Sequence, residues 1–311
     1  PAPGGTEGIA SRGARFLRET VATGAQTCVR AIPPRRALLA IGGALGALAG
    51  RVDRERTRIA IENLGAAFGP ALDARGARRI ARKCWRHFGR IVLDALAFPR
   101  VDAEAAARLV RCRGLDRLRA AYARGRGVLI FSAHYGHWEL GAVAQGHLGL
   151  PLAVVTRPLD NPRLERMLAR LRGRSGNVII HKRNAVREIL KALHSGIGVA
   201  IVIDQDARDQ GVFVPFFGRP ASTTPTLALL ALRTGAAVVP VRCVPLPDGT
   251  WELAYEPEVP VEETGDRDAD VLALTGRCTA IVEGWVRERP ELWLWMHRRW
   301  KTPPPAGGGD A

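Results

Sequence analysis

Between residues 128 and 255, short apolar runs rich in β-branched residues alternate with stretches of helical periodicity, and this cadence limits the fold more than any other feature. The runs are Val128–Ser132, Leu152–Thr156, Val178–His181, Val199–Ile203, Ala237–Cys243 and Trp251–Tyr255, with helical patterns such as Ala185–His194 and Thr226–Arg233 between them. Strand, helix, strand in this order predicts an α/β chain: a mostly parallel central sheet covered by helices on both faces. Its crossovers should be right-handed, and a site should lie beyond the carboxyl ends of the strands.

A chain of 311 residues, 47% apolar and 24% charged, can bury a sizeable core, which disfavours collagen-like, disordered and polytopic membrane classes. Charge is the outlying quantity. Lys plus Arg number 46 against 30 Asp plus Glu, a net of +16, and lysine occurs only at positions 83, 182, 191 and 301. Such a surplus draws a protein toward phosphate on nucleic acid or an anionic membrane, or toward an acidic partner. The five cysteines, at 28, 84, 112, 243 and 278, are odd in number and widely spaced. They read as small buried apolar residues in a reducing compartment rather than as disulfides or a thiolate metal site.

The uncharged run Ala37–Gly50 follows Arg35 and Arg36 and has 14 residues, short of the roughly 20 that a helical bilayer span needs. It reads as a buried helix, as an interfacial or re-entrant anchor, or as a signal-peptide core with a small-residue site at Ala47 and Ala49. Gly42, Gly46 and Gly50 recur every four residues, which would let a second helix or lipid approach closely. From Arg51 to Arg90 eleven cations stand against four acids. Within that stretch Ile80, Cys84, Phe88, Ile91 and Ala95 share one helical face and Arg79, Arg82, Arg86 and Arg90 another. This is a basic amphipathic helix, either a solvated face on a core-packed helix or a membrane-surface or partner-docking face.

The chemistry concentrates in Val128-Leu-Ile-Phe-Ser-Ala-His134-Tyr-Gly-His137-Trp-Glu139, where a strand runs into a polar cluster. On a continuous helix His134 and Glu139 would be about 140° apart. If Gly136 makes a turn and a helix starts near His137, Glu139 can fold back to a nitrogen of His134. A carboxylate on one imidazole nitrogen fixes the tautomer and leaves the other nitrogen free to take a proton from a hydroxyl. Two other readings stand beside this one: structural histidines at a turn, and a metal site of His134, His137 and Glu139. The metal site lacks a second group of ligands, since His147, His181, His194 and His297 are isolated in sequence. A serine hydrolase would need G-x-S-x-G, which is absent.

The run FSAHYGHWELGA resembles the His-x4-Asp/Glu block of glycerophosphate-type acyltransferases, and in its Glu form that of the late lipid A acyltransferases of the lauroyl/myristoyl type. The segments VVTRPLDNP (154–162), HKRNAVREILKALHSGIGVAIVIDQDARDQGVFVPFFGRPAST (181–223), GAAVVPV (235–241) and WLWMHRRWK (293–301) are similar to that family's blocks in the same order. The broader acyltransferase block F-P-E-G-T-R-S is replaced by Asp204-Gln-Asp-Ala-Arg208, which favours the lipid A branch.

The resemblance implies a cytoplasm-facing inner-membrane enzyme that moves a fatty acyl group from acyl carrier protein or acyl-CoA to a hydroxyl of an anionic membrane glycolipid, first of all a lipid A precursor. The alternatives are another lipid acceptor, a phosphatidylinositol mannoside, an aminolipid or a lysophospholipid, and, on charge alone, a basic nucleic-acid-binding protein. On the acyl-transfer reading neither a cofactor, a metal nor a nucleic-acid partner is expected. His134 would be the general base and Glu139 its orienting partner, while Arg157 and Asn161 would bind the acceptor, Arg157 suiting a phosphate bidentately. Read from the residues themselves, Asp204 and Asp206 would orient the acceptor, bind a cation or cap a helix; Phe216 and Phe217, with Phe213 and Gly218, would wall the acyl channel or be plain core; and Thr223, with Ala221 and Ser222, would lie where backbone amides receive an oxyanion. Trp293, Trp295 and Trp300, interleaved with His297, Arg298, Arg299 and Lys301, would by composition suit the headgroup layer of an anionic bilayer, and would also suit single-stranded nucleic acid. The expected organisation is an N-terminal segment with a membrane-anchoring helix over 1–50, an acyltransferase domain over 51–302 and a disordered tail over 303–311.

Overall fold

The computed structural model describes residues 34–97, 101–156, 166, 173, 175–181 and 185–305. Seven strands form the main sheet: β1 (Val110–Arg113), β2 (Val128–Ser132), β3 (Leu152–Thr156), β4 (Val178–His181), β5 (Gly198–Val202), β8 (Ala237–Pro245) and β9 (Trp251–Tyr255), in the order β1-β9-β8-β2-β5-β3-β4. Every neighbouring pair is parallel except β8 and β9. The expected strands appear within about one residue at their starts. Two elements escaped the apolar patterning: β1, which is half arginine, and the antiparallel hairpin of β6 (Val212–Phe216) and β7 (Arg219–Thr223), where Pro215 faces Pro220.

Strand order fixes the layers. The chain leaves β2 through α6 (Trp138–His147) and skips over β5 to reach β3, then returns from β4 through α7 (Ala185–His194) to β5. With right-handed crossovers, opposite directions of travel put α6 and α7 on opposite faces. Helix α8 (Thr226–Thr234) continues the return journey to β8 and joins the α7 layer, where α9 (Arg267–Glu288) packs on it. The central strand β2 is therefore buried on both sides, with Val128 through Phe131 all at 1% exposure or less. Connections diverge from β2 toward β5 on one side and β8 on the other, and the crevice at its carboxyl end is the topological switch point.

Three helices precede the sheet: α1 (Arg35–Val52), α2 (Arg54–Phe68) and α3 (Ala74–Ala97), followed by α4 (Ala103–Leu109) and α5 (Leu115–Ala123). Asp53 breaks α1 from α2 by capping the latter, its carboxylate accepting from the Arg56 amide at 3.0 Å. The four-residue glycine spacing is a helix-crossing device. A Cβ at Gly46 would lie 2.1 Å from the Trp85 carbonyl, and one at Gly89 would lie 2.2 Å from that of Gly42, so only glycines allow α1 and α3 to touch backbone to backbone. Helix α1 runs through residue 50 and ends at Val52. Its inner side buries Leu38, Gly42, Gly43 and Gly46, while Ile41, Leu45, Leu48 and Val52 remain exposed. On α3, Cys84, Phe88 and Ile91 face the core and Arg79, Arg82, Arg86 and Arg90 face outward, the division that periodicity predicts. Among the described residues no helix is long and apolar enough to cross a membrane.

Cys84, Cys243 and Cys278 are buried and unpaired, with thiols that burial holds well above their ordinary range. Cys28 and residues 306–311 of the expected tail lie outside the described residues.

Candidate active site

The site begins where β2 ends. Gly136, at φ +61°, makes the turn, and a Cβ there would meet the Cys243 carbonyl at 1.9 Å, so no other residue fits. His137 then caps α6, its Nδ1 accepting from the Leu140 amide at 3.4 Å. Turn and helix start thus fall where the polar cluster predicted them.

The carboxylate on His134 comes from β5. Strands β2 and β5 pair in register, Ser132 opposite Val202. Ile203 extends the ladder by donating to the Ser132 carbonyl at 3.1 Å, so two residues past each strand end His134 faces Asp204. His134 Nδ1 lies 2.9 Å from Asp204 Oδ1, and the His134 backbone amide donates to Oδ2 at 2.8 Å. The Trp293 indole N–H completes the set on Oδ2 at 2.7 Å. Three donors on one buried carboxylate hold it ionised: burial opposes the charge, but His134 and its hydrogen bonds outweigh burial, and the carboxyl is held far below the usual range. With Nδ1 donating to Asp204, Nε2 carries the free lone pair.

His134 keeps 21% of its side chain open, against 2% for Asp204. Burial lowers its pKa, but the Asp204 charge, the hydrogen bond to it and the Glu139 charge together raise it above 6.5. Glu139, in the first turn of α6, thus acts on the imidazole through its charge, while Asp204, expected to orient an acceptor, is the group on Nδ1. Trp138 packs edge-on against the His134 ring at 5.1 Å.

The closing segment runs along the turn as a partial strand. Leu294 donates to the His134 carbonyl at 3.1 Å, Gly136 donates to the Leu292 carbonyl at 3.0 Å, and Asn63 of α2 holds the Trp295 and His297 carbonyls at 2.9 and 2.8 Å. Trp293 and Trp295 are fully buried and Arg299 is 1% exposed, which overturns their expected place in a lipid headgroup layer. They are core, and the Arg299 guanidinium bonds the Ser222 carbonyl and the Thr223 hydroxyl beneath the hairpin, with a pKa that burial lowers to about 10. His297, isolated in sequence, bonds the Leu294 carbonyl through Nδ1 at 3.3 Å, and burial, opposed by the Asp204 charge, lowers it to about 4, so it stays neutral at pH 7.

Phe216 and Phe217 are buried and meet edge-on at 5.0 Å, packed against Trp293, Trp300, Phe68 and Trp295. Phe217 sits in the left-handed region at φ +55°, an unfavourable place for an aromatic residue. There Glu283 accepts its amide and the Arg287 guanidinium lies 4.4 Å over its ring. Thr223 is buried at the end of β7, donating to the Ala221 carbonyl at 2.9 Å, and Asp206 accepts from Thr302 at 3.0 Å. Arg157 and Asn161 lie outside the described residues. Sequence reasoning missed His87, Asp94, Trp293 and His297 as neighbours of the site. Among the described residues no three metal-ligating side chains converge.

An imidazole with one nitrogen fixed by a buried carboxylate and the other open, set at the switch point of an α/β sheet, has the geometry that a general base in a transferase or hydrolase needs. Comparison with known proteins narrows the class. Residues 14–302 match the family model for bacterial lipid A biosynthesis acyltransferases. The chain is 30% identical over 275 residues, 87% of each chain, to the lipid A biosynthesis palmitoleoyltransferase of Escherichia coli K12, and equally to its lipid A biosynthesis lauroyltransferase. It is also 26% identical over 217 residues, 68% of this chain and 69% of the relative, to the phosphatidylinositol mannoside acyltransferase of Mycolicibacterium smegmatis. The chain belongs to the bacterial lipid A biosynthesis acyltransferase family, and it is an acyltransferase.

Proposed function

We propose that this enzyme transfers a fatty acyl group from the thioester of acyl carrier protein, or from acyl-CoA, to a hydroxyl of a lipid A precursor at the cytoplasmic face of the inner membrane. The observation that carries the reading is the His134–Asp204 pair, 2.9 Å apart at the carboxyl end of β2. Asp204 holds the Nδ1–H tautomer, so Nε2 takes the acceptor's hydroxyl proton as its oxygen attacks the thioester carbonyl. The tetrahedral adduct then collapses: the C–O bond remains, the C–S bond breaks, and the proton passes from Nε2 to the departing sulfur. Asp204 and Glu139 both stabilise the imidazolium that forms between these steps, which is the electrostatic meaning of the raised His134 pKa. Arg157 and Asn161 bind the acceptor, Arg157 at a phosphate. Phe216 and Phe217 form one wall of the acyl channel, and Asp206 and Thr223 brace the loop and hairpin around it.

The exposed row Ile41, Leu45, Leu48 and Val52 runs along α1, and on α3, the helix packed against it, Arg79, Arg82, Arg86 and Arg90 are exposed as well. An apolar stripe flanked by arginines is the composition of a helix that lies in the interface of an anionic bilayer. This surface seats the enzyme where its lipid acceptor resides.

The likeness to the phosphatidylinositol mannoside acyltransferase supports a second reading, the same chemistry on a mannosylated phospholipid. Offering acyl carrier thioesters and acyl-CoA with a lipid A precursor and with phosphatidylinositol mannosides, and weighing the products by mass spectrometry, separates the two. Acylated lipid A precursor is expected. Acylation of the mannoside alone would move the enzyme to the second reading, and hydrolysis of donor without transfer would refute both.

A further inference from the structure

Behind the catalytic turn lies a second, buried polar chain that the reaction itself does not use. Arg35, the first residue of α1, forks onto Asp94 of α3, its Nε reaching Oδ1 at 2.9 Å and its Nη2 reaching Oδ2 at 2.6 Å. Asp94 is 2% exposed, and its Oδ2 lies 3.4 Å from Nε2 of His137. His137 accepts the Leu140 amide on Nδ1, so its proton sits on Nε2, the ring nitrogen on the Asp94 side. His134 stands in the site three residues before His137. Two helical turns before Asp94, and so on the same face of α3, His87 Nε2 is 3.1 Å from the Gly136 carbonyl. Trp251 closes the group, 5.0 Å from the His137 ring and 6.4 Å from that of His87. From its far end the Arg35 guanidinium also donates to the Gly249 carbonyl at 3.0 Å.

The buried carboxylate at the centre of this chain is kept charged by its two partners. Burial alone would push the Asp94 carboxyl up and neutralise it, yet His137 and Arg35 hold it ionised and below its ordinary value. An ion pair in such a place is poor at adding net stability but costly to break from one side. It specifies geometry. Helix α3 grips the His134–His137 turn at two points, the Gly136 carbonyl and the His137 ring, and α1 is locked to α3 by the glycine crossing and by the Arg35 fork. The outer face of α1 carries the exposed apolar row.

We infer that Asp94 is a positioning residue for acyl transfer: with Arg35 and His137 it ties the seating of α1 on α3 to the orientation of the turn that presents His134. The inference rests on His134 being the base. A displacement of about 1 Å at a reacting group costs on the order of 100-fold in rate, so the chain acts on kcat and leaves substrate affinity alone.

Asp94→Asn keeps the shape and removes the charge. It should lower kcat by about 10- to 100-fold with KM for donor and acceptor nearly unchanged, and it should shift the ring ¹⁵N signals of His134 in histidine-labelled protein. His137→Gln should do the same, and the double variant should be no worse than either single one, because both cut one chain. Arg35→Gln, at the more exposed end, should give a smaller loss that Arg35→Lys partly restores. Arg58→Gln removes an exposed ion pair on α2 and should leave kcat as it is. If Asp94→Asn does not fold, the His137 and Arg35 variants carry the test. Folded variants with full kcat and unmoved His134 signals, beside an inactive His134→Ala, would overturn this inference alone. Full activity in His134→Ala would instead remove the general base on which it rests.

Discussion

Replacing Asp204 by Asn alters one atom and should disable the base. The carboxylate accepts three hydrogen bonds, from the His134 amide, the Trp293 indole and His134 Nδ1. An amide has one carbonyl oxygen. Kept on the two fixed N–H donors that share Oδ2, it leaves its NH₂ facing Nδ1, which must then accept and send the ring proton to Nε2. The neutral ring no longer offers a lone pair to the hydroxyl. The equivalent change beside the histidine of serine proteases costs about 10⁴ in kcat, and here a loss of about 10³–10⁴ is expected, or about 4–5.5 kcal/mol at 1.36 kcal/mol per tenfold.

The pH profile should move with it. In the native enzyme the rate should rise through a midpoint above 6.5, where Asp204 and Glu139 outweigh burial of His134. Without the Asp204 charge, burial lowers that midpoint. Stability carries a matching sign. The depressed Asp204 carboxyl stabilises the fold above the unfolded value of about 3.9 and loses its contribution as pH falls below it. The raised His134 contributes fully below about 6.5 and fades as pH rises through its folded value. The stability gap between native and Asn forms should therefore be widest between about pH 4 and 6.5. Initial rates of acyl transfer across pH, with urea unfolding at each pH, measure both effects. A folded Asn variant within threefold of native kcat and with an unmoved acid limb would refute the reasoning.

Gly136→Ala combines a positive φ with a Cβ 1.9 Å from the Cys243 carbonyl. It should lower stability by more than about 3 kcal/mol, read as insoluble protein or as a collapsed urea midpoint. Leu45→Glu and Leu48→Glu, on the open side of α1, should each weaken partitioning onto anionic phospholipid vesicles by about tenfold or more, from about 1.5–3 kcal/mol of lost apolar burial, with the melting temperature retained. Arg299→Leu removes a buried guanidinium from the Ser222 carbonyl and the Thr223 hydroxyl and should cost about 2–3 kcal/mol in urea unfolding.

Local chemistry was legible in the sequence; pairing between distant strands was not. Six strands and the Gly136 turn follow from apolar runs ending in a glycine-bearing polar cluster, because a parallel strand buried on both faces must be continuously apolar. Strand β1 escaped because two of its four residues are arginines, and the hairpin because proline argues against a strand unless it lies at an edge. The orienting carboxylate could be seen only once β2 and β5 were paired in register. Glu139 was five residues away and Asp204 seventy, yet strand register, not sequence distance, brings Asp204 to Nδ1. Trp293, Trp295 and Arg299 misled for a different reason. Interleaved rings and cations compose a lipid-facing belt and a buried arginine-aromatic cluster equally well, and only the fold of the closing segment against α2 and the hairpin decides between them.

The central claim concerns one lone pair, on Nε2 of His134. A ¹⁵N-histidine NMR titration alongside the pH dependence of kcat/KM reads it directly. The neutral ring should carry its proton on Nδ1, and its titration midpoint should lie above 6.5 and coincide with the acid limb of the rate. A neutral ring protonated on Nε2, or a midpoint unrelated to the rate, would contradict the account.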